Sequence, residues 1–467
     1  MAARARNVQT FAEVIAWVLV PISMVLGYIY FSTPVAIRLR IFDMGSDYLA
    51  GIVAAIVLFA VTLFWPIPRS HRRAILLLWI IRAGFALGVM LAYDVLYARD
   101  ATMYFITGKA VSQPLDTIVY GSGTQNVRAI IGLLSSITDS YNALKIIFSY
   151  LGLISVYVFY RAAALFLGRD RLELLYILGL FPSYLLWTSI LGKDPIVCLG
   201  IAIYCYGVVA MIVRNQMTMI VLVLAGLAIA AFIRVWLGLI FITPLVAVYV
   251  LTGRLSIVSK FGFLLVAVPA FLFAIQGFSN KFNVETTEDL VRRTDAISSG
   301  WAHGGTAQKI EGGFSSVESM VTFMPVGSFA ALFRPLPLEV PNTFGTLAGI
   351  ENAIVLTLFI YGLIRCGFGW VRQPILLWTV LVLMVWSAIY GFASYQNLGT
   401  AFRFRAQVAP LLLMLALYLA YVHPVRTERG SWLAWPKRML GADAPADVET
   451  GGDAKPPAST SPDSTPR

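Results

Sequence analysis

Five basic residues stand beside apolar runs of the chain, where their charges could hold a phosphate group. They are Lys193 in "ILGKDP", Arg234 in "FIRVW", Arg334 in "FRPLPLE", and Arg403 and Arg405 in "AFRFRAQ". A guanidinium can bind two phosphate oxygens at once, whereas a lysine ammonium acts as a point charge. We therefore predict that these five residues bind a phosphate of the substrate.

Two carboxylates lie in the stretch "YDVLYARDATMYFITGK", which follows an apolar run. A carboxylate at the point where a helix leaves the bilayer can take a proton from a hydroxyl group. Asp100, or else Asp94, is the predicted catalytic base. The alternative is a solvated loop in which Asp100 only caps a helix.

Five further polar residues share these stretches and are predicted to contact the substrate. They are Tyr104, Lys109, Asp194, Glu339 and Asn397. Asp194 ranks below its neighbour in the chain, because a glycine followed by Asp-Pro is also the ordinary way to end one helix and begin the next.

Each basic residue also has a purely structural interpretation. Lys193 could be the exposed tip of a helical hairpin, and the long side chain of Arg234 could reach the membrane interface. Arg403 and Arg405 could anchor the chain to lipid head groups. These alternatives stay open from the residues alone.

The elements that must position these residues are apolar helices. Hydrophobic residues make up 59% of the chain, charged residues 13%, and the mean hydropathy is +0.78. Soluble domains contain roughly 25% charged residues. We predict an all-α polytopic membrane protein with about twelve transmembrane helices. The predicted spans are at about 12–31, 49–65, 74–93, 143–163, 173–190, 195–213, 217–233, 236–251, 261–276, 346–364, 374–391 and 407–422.

The distribution of basic residues predicts the orientation. Most arginines and lysines between the spans fall into alternate connections, which marks those connections as cytoplasmic and places both termini in the cytoplasm. Two long loops, at about 94–142 and 277–345, are then extracytoplasmic, and 283–297 has the pattern of an amphipathic surface helix. The predicted transmembrane domain is 1–423. Residues 424–467 are predicted to be a mostly disordered cytoplasmic tail, rich in Pro, Ala, Ser, Thr and Asp.

Composition also excludes some classes of partner. The net charge of +11 is explained by the cytoplasmic loops, so no nucleic-acid partner is predicted. Cys198, Cys205 and Cys366 have no metal-ligand spacing, and no cofactor is predicted, although Asp94 and Asp100 leave room for a divalent cation.

Three strings resemble those of a known group of membrane proteins: "FPSYLLWTSILGKD", "ALFRPLPLEVPN" and "NLGTAFRFRAQVAPLLL". Similar strings occur in multi-pass proteins of bacterial exopolysaccharide and capsule pathways. Those proteins resemble GT-C-type glycosyltransferases and are often grouped with polysaccharide polymerases. The resemblance covers about residues 90–420, with gaps.

The resemblance implies a GT-C-like fold in the bacterial inner membrane. It also implies transfer or polymerisation of sugars, on the extracytoplasmic face, from a polyprenyl-phosphate- or pyrophosphate-linked donor to a glycan acceptor, in surface polysaccharide synthesis. Partner proteins of the pathway are implied as well. Asp100 or Asp94 would match the early acidic base of that family. In this sequence the acidic loop follows the third span, whereas in that family it follows the first. The loop after the first span holds Asp43 and Asp47, so the identity of the base stays open.

Two other functions compete with the transferase. A transporter or flippase for the same lipid-linked glycan would need charges at mid-membrane; few are evident, although Arg82 and Lys145 fall inside spans and could pair there with carboxylates. A non-catalytic subunit of a polysaccharide export complex would explain the long loops but not the basic residues on the outer side.

Overall fold

The fold is all-helical over the residues that the structure describes. A computed structural model describes residues 2–97, 99–251, 257–302, 306–308, 313–340, 342–366 and 373–421; the predicted tail, 424–467, lies outside them. The α-helices are α1 Ala2–Val14, α2 Val20–Leu39, α3 Met44–Leu63, α4 Arg69–Leu87, α5 Val89–Leu96, α6 Arg99–Lys109, α7 Gly123–Leu134, α8 Tyr141–Leu167, α9 Leu172–Gly179, α10 Pro182–Trp187, α11 Lys193–Arg214, α12 Ile220–Ile233, α13 Trp236–Leu251, α14 Ile257–Phe282, α15 Thr287–Gly300, α16 Val317–Phe333, α17 Thr343–Cys366, α18 Pro374–Gln396, α19 Leu398–Arg405 and α20 Ala409–Tyr421.

Membrane-spanning length is reached by eight helical segments of the described chain, or nine if the bent pair α19–α20 forms one span. Their apolar composition confirms a polytopic membrane protein; the predicted count of twelve is not confirmed. The eight segments are Asn7–Leu39, Met44–Leu63, Arg69–Leu96, Tyr141–Leu167, Lys193–Arg214, Lys260–Phe282, Thr343–Cys366 and Pro374–Phe392.

Four of the predicted spans do not reach that length, or three if the bent pair α19–α20 supplies the span at 407–422. The stretch 173–190 forms two short helices, α9 and α10, because Pro182 has no N–H to continue the first helix and begins the second. The stretches 217–233 and 236–251 are helical, but α12 has 14 residues and α13 has 16.

The two long loops predicted from the sequence contain helices. The first holds α6 and α7, and the second holds α15 and α16. A capping box between Thr286 and Asp289 begins α15 and confirms the predicted helix there. Helix α16 is apolar and packs along α18, so the segment 277–345 is not one extended loop.

The buried centre of the bundle is built from α4, α8 and α11. Helix α8 packs against α3, α4 and α11, and α11 also packs against α12. In the central helix α8, 72% of the residues of its most apolar stretch are buried. In α14 the corresponding share is 17%. The side chains of α14 therefore form part of the outer, apolar surface.

Candidate ionic site

Five of the residues predicted to act on a substrate meet at one end of the bundle, in what we call the ionic cluster: Asp100, Lys193, Asp194, Arg234 and Arg403. The Asp194 carboxylate accepts from Arg234 Nη2 at 3.1 Å and from Arg403 Nε at 2.7 Å. Arg403 Nη1 also donates to Asp100 Oδ2 at 3.0 Å. The residues come from four separate parts of the sequence, and the structure brings them into one network.

Helix ends position the members of the cluster. Lys193 and Asp194 are the first residues of α11, directly after a break at Gly192. Arg234 caps the end of α12 and forms a β-bridge with Ser122. Arg403 lies on α19, which is bent by 73° from α20. A connection between two apolar helices thus supplies each basic group.

The cluster runs from a buried end to an exposed end. The side chains of Asp194 and Arg234 are 1% and 6% exposed, whereas that of Arg403 is 20% and that of Asp100 is 55% exposed. Asp194 therefore binds two guanidinium groups at the buried end of the cluster. Asp100 and one edge of Arg403 are accessible at its exposed end. Both Asp194 oxygens are occupied, so its role is to position the arginines.

Lys193 is the cation of the cluster that forms no ion pair with any described residue. Its ammonium donates to Thr124 Oγ1 at 2.9 Å and lies 5.6 Å from the centre of the Tyr104 ring. Burial raises the pKa of Tyr104 to about 12, so its hydroxyl keeps its proton at neutral pH. The charge of Lys193 thus remains available to an anion.

Aromatic rings support the two arginines. The Arg234 guanidinium lies 4.3 Å from the centre of the Phe404 ring and donates to the Tyr390 hydroxyl. Arg403 lies 5.3 Å from the centre of the Trp187 ring. Cation–π contact holds a guanidinium in place without neutralising it. These rings, and Thr124 beside Lys193, were not predicted from the sequence, because no local spacing connects them with the basic residues.

Asp94, predicted as the alternative base, does not join the cluster. It is 3% exposed and pairs with the fully buried Lys145, Nζ to Oδ2, at 2.9 Å. An ion-paired carboxylate without access to solvent is a poor general base. Asp94 and Asp100 contact different cations, Lys145 and Arg403, so they do not face a shared cation site.

Arg334 and Glu339, predicted to bind the substrate, pair with each other and do not join the cluster. Arg334 Nε lies 2.9 and 3.0 Å from the two Glu339 oxygens, and Leu336 N donates to the same carboxylate. Arg334 Nη1 donates to Gln308. The pair closes the loop between α16 and α17.

Arg405 likewise has a structural position. It is 2% exposed, lies 3.5 Å from Glu351 Oε1, and donates to the carbonyl oxygens of Leu332 and Arg334. Although Arg403 and Arg405 are two positions apart, the helical period of α19 sends them to different surroundings. Only Arg403 reaches the ionic cluster.

The last two predicted contacts are accounted for locally. Lys109 pairs with Asp139 at 2.7 Å, away from the cluster. Asn397 caps α19: its side-chain oxygen accepts from Thr400 N at 3.0 Å, and its amide donates to Trp301 O. These contacts are those of a helix cap.

Buried charges are more numerous than the sequence suggested. Lys145 pairs with Asp94, as expected of an interior lysine, whereas Arg82 has no carboxylate partner among the described residues. Arg82, 1% exposed, donates to the hydroxyls of Thr188 and Ser189 at 2.7 and 3.2 Å. Charged side chains are therefore present in the interior, so a scarcity of interior charge no longer counts against a transporter.

Comparisons with known proteins found nothing similar to this chain. No family model, curated protein or solved structure matches the chain. Within the described residues, no group of three or more His, Cys, Asp or Glu side chains is arranged to hold a metal ion.

Proposed function

We propose that the protein is a membrane glycosyltransferase or polysaccharide polymerase whose ionic cluster binds the phosphate of a polyprenyl-(pyro)phosphate-linked sugar. The observation that carries the proposal is Lys193, a half-buried cation without a carboxylate partner among the described residues, beside Arg403 and Asp100. The cluster holds three cations and two carboxylates, so it has one positive charge in excess.

The proposed chemistry uses the accessible end of the cluster. Asp100 takes the proton of an acceptor hydroxyl, and the hydroxyl oxygen bonds to the anomeric carbon of the donor sugar. The bond between that carbon and the phosphate oxygen breaks, and the electron pair stays on the phosphate. Lys193 and Arg403 stabilise the negative charge that develops there.

The test is reconstitution of the purified protein in vesicles with a radiolabelled polyprenyl-phosphate-linked sugar and a glycan acceptor. The wild type is expected to form a new glycosidic bond. Asp100→Asn is expected to lower the rate by 10²-fold or more, in the range of a lost general base. The control is Asp116→Asn, an exposed aspartate of the same outer segment. Full turnover by Asp100→Asn would reject Asp100 as the base.

Transport of a lipid-linked glycan is the second candidate, and broken helices favour it. The breaks are at Pro182, between α9 and α10, and between α19 and α20, which are bent by 73°. Discontinuous helices with buried charges are common in transporters. In the same vesicles, movement of the labelled lipid across the bilayer with no new glycosidic bond would support this candidate over the transferase.

The same proposal places the ionic cluster on the extracytoplasmic face of a bacterial inner membrane, with both termini in the cytoplasm. Its support is that connections predicted for that face meet in one network. A single cysteine introduced at position 193 or 403 should react with an impermeant thiol reagent added from outside. Labelling only from the cytoplasmic side would reverse the proposed orientation.

A further inference from the structure

A groove runs along helix α2 to the turn that joins it to α3. Helix α2 packs mainly along α4 and α5, whereas α3 packs mainly along α4 and α8. The cavity, about 490 Å³, is lined by Tyr28, Ser32, Ala36, Ile37 and Met44 among others. Its size falls in the range of ligand pockets, and its wall is mostly apolar.

A second, polar cavity lies at the same turn. Arg40, Ile41 and Phe42, in the turn between α2 and α3, line both cavities. The second cavity, about 470 Å³, is also lined by Asp43, Lys109 and Asp139. An apolar groove and a polar cavity on either side of one turn match an amphiphile, with its hydrocarbon chain along α2 and its head group at the turn.

The charges of the polar cavity define the head group. Arg40 is exposed, and its side chain forms no hydrogen bond or ion pair with a described residue. Asp43 caps α3, with Oδ1 accepting from Ser46 N at 3.0 Å and Oδ2 from the Ser46 hydroxyl at 2.6 Å. These bonds hold the pKa of Asp43 below its usual value, so the carboxylate is charged at neutral pH.

We propose that this groove binds a phospholipid whose head group carries a primary ammonium, of the phosphatidylethanolamine type. Its phosphate contacts the free guanidinium of Arg40, and its ammonium contacts the Asp43 carboxylate. One acyl chain lies along α2, against Tyr28, Ala36 and Ile37. The fully exposed side chain of Phe42, with Ile37 at 75% exposure, flanks the head group with apolar surface, as expected at a membrane interface.

The proposed lipid site is separate from the ionic cluster. Helix α6 lies between them: its residues Asp100 and Tyr104 face the cluster, and Phe105 and Lys109 line the polar cavity. The two proposals are therefore tested independently: a loss of lipid binding would not bear on the proposed transferase chemistry.

The test is titration of the delipidated, detergent-purified full chain with phosphatidylethanolamine, phosphatidylcholine or phosphatidylglycerol of identical acyl chains, followed by native mass spectrometry. We expect the ethanolamine lipid to bind about fivefold more tightly than the other two, the size of an exposed ion pair. Arg40→Gln should weaken its binding by a similar factor, and Ala36→Phe should reduce it by filling the groove.

Two further variants make the result specific. Arg293→Gln removes an exposed arginine of α15 and should leave lipid binding unchanged. Asp43→Asn keeps a helix cap while removing the charge, so it should abolish the preference for ethanolamine over glycerol. Equal binding of all three lipids, or an Arg40→Gln variant that binds like Arg293→Gln, would overturn the proposal. If Ala36→Phe binds the lipid as tightly as the wild type, the acyl chain does not lie in the groove, and that part of the proposal is wrong.

Discussion

Asp194 is the member of the ionic cluster on which the fold depends most. Its carboxylate, 1% exposed, is shared by Arg234 at 3.1 Å and Arg403 at 2.7 Å. Replacement by asparagine keeps the volume but removes the charge. Arg403 would keep its contact with Asp100. Arg234, by contrast, would be left buried without a carboxylate among the described residues.

The expected cost follows from burial. Removing one partner of a buried ion pair destabilises a protein by about 3–5 kcal/mol, because the remaining charge stays out of water. The same change at Asp100, whose side chain is 55% exposed, should cost about 0–1 kcal/mol, since water screens the lost contact. Two aspartates that contact the same arginine are thus expected to differ severalfold in their effect on stability.

The measurement is the free energy of unfolding of each purified variant in mixed micelles, by titration with a denaturing detergent. The double variant Asp194→Asn, Arg234→Met should recover part of the loss, because an apolar side chain replaces the unpaired charge. Equal losses for Asp194→Asn and Asp100→Asn, or no recovery in the double variant, would refute the inference that Asp194 acts by neutralising buried arginines.

Three further variants test the buried contacts away from the cluster by the same unfolding titration. Lys145→Met should cost about 3–5 kcal/mol, because it leaves Asp94 charged and buried; a loss under 1 kcal/mol would contradict the pair. Glu351→Gln keeps an acceptor for Ser183 N but removes the countercharge of Arg405, so about 1–3 kcal/mol is expected. Asn397→Ala removes both the cap of α19 and the contact with Trp301 O, and should cost about 1 kcal/mol or more, whereas Asn397→Asp keeps the cap and loses only the contact with Trp301 O, so it should cost less.

The sequence predicted the helical membrane fold because hydrophobic length is a local property. The same argument overestimated single spans where proline interrupts an apolar run, as at Pro182, since a hydropathy pattern does not distinguish one helix from two short ones. It also missed that the apolar segment of α16 packs along α18. Burial against neighbours, and not hydrophobicity alone, decides whether such a segment is a loop or a helix of the bundle.

For the site, the sequence predicted the cations better than their partners. The bias of basic residues toward one side marked Lys193, Arg234 and Arg403 as unusual, and all three meet in the cluster. The partner of each depends on tertiary contacts: Asp194 and Arg403 are far apart in the chain, as are Asp94 and Lys145. Asp194 was ranked low because its place before a proline at a helix start already explained it. Its position at the centre of the cluster was therefore not predicted.

The contact between Asp100 and Arg403 gives the proposed reaction an order of events. As the cluster stands, Arg403 Nη1 donates to Asp100 Oδ2 at 3.0 Å, so this carboxylate oxygen is already occupied by a donor. A phosphate that binds Lys193 and Arg403 would compete for the same N–H group. Because Arg403 remains held by Asp194 and lies over the Trp187 ring, the displaced group would be Asp100, on the exposed side. Binding of the donor phosphate would thus release the carboxylate that the acceptor hydroxyl requires.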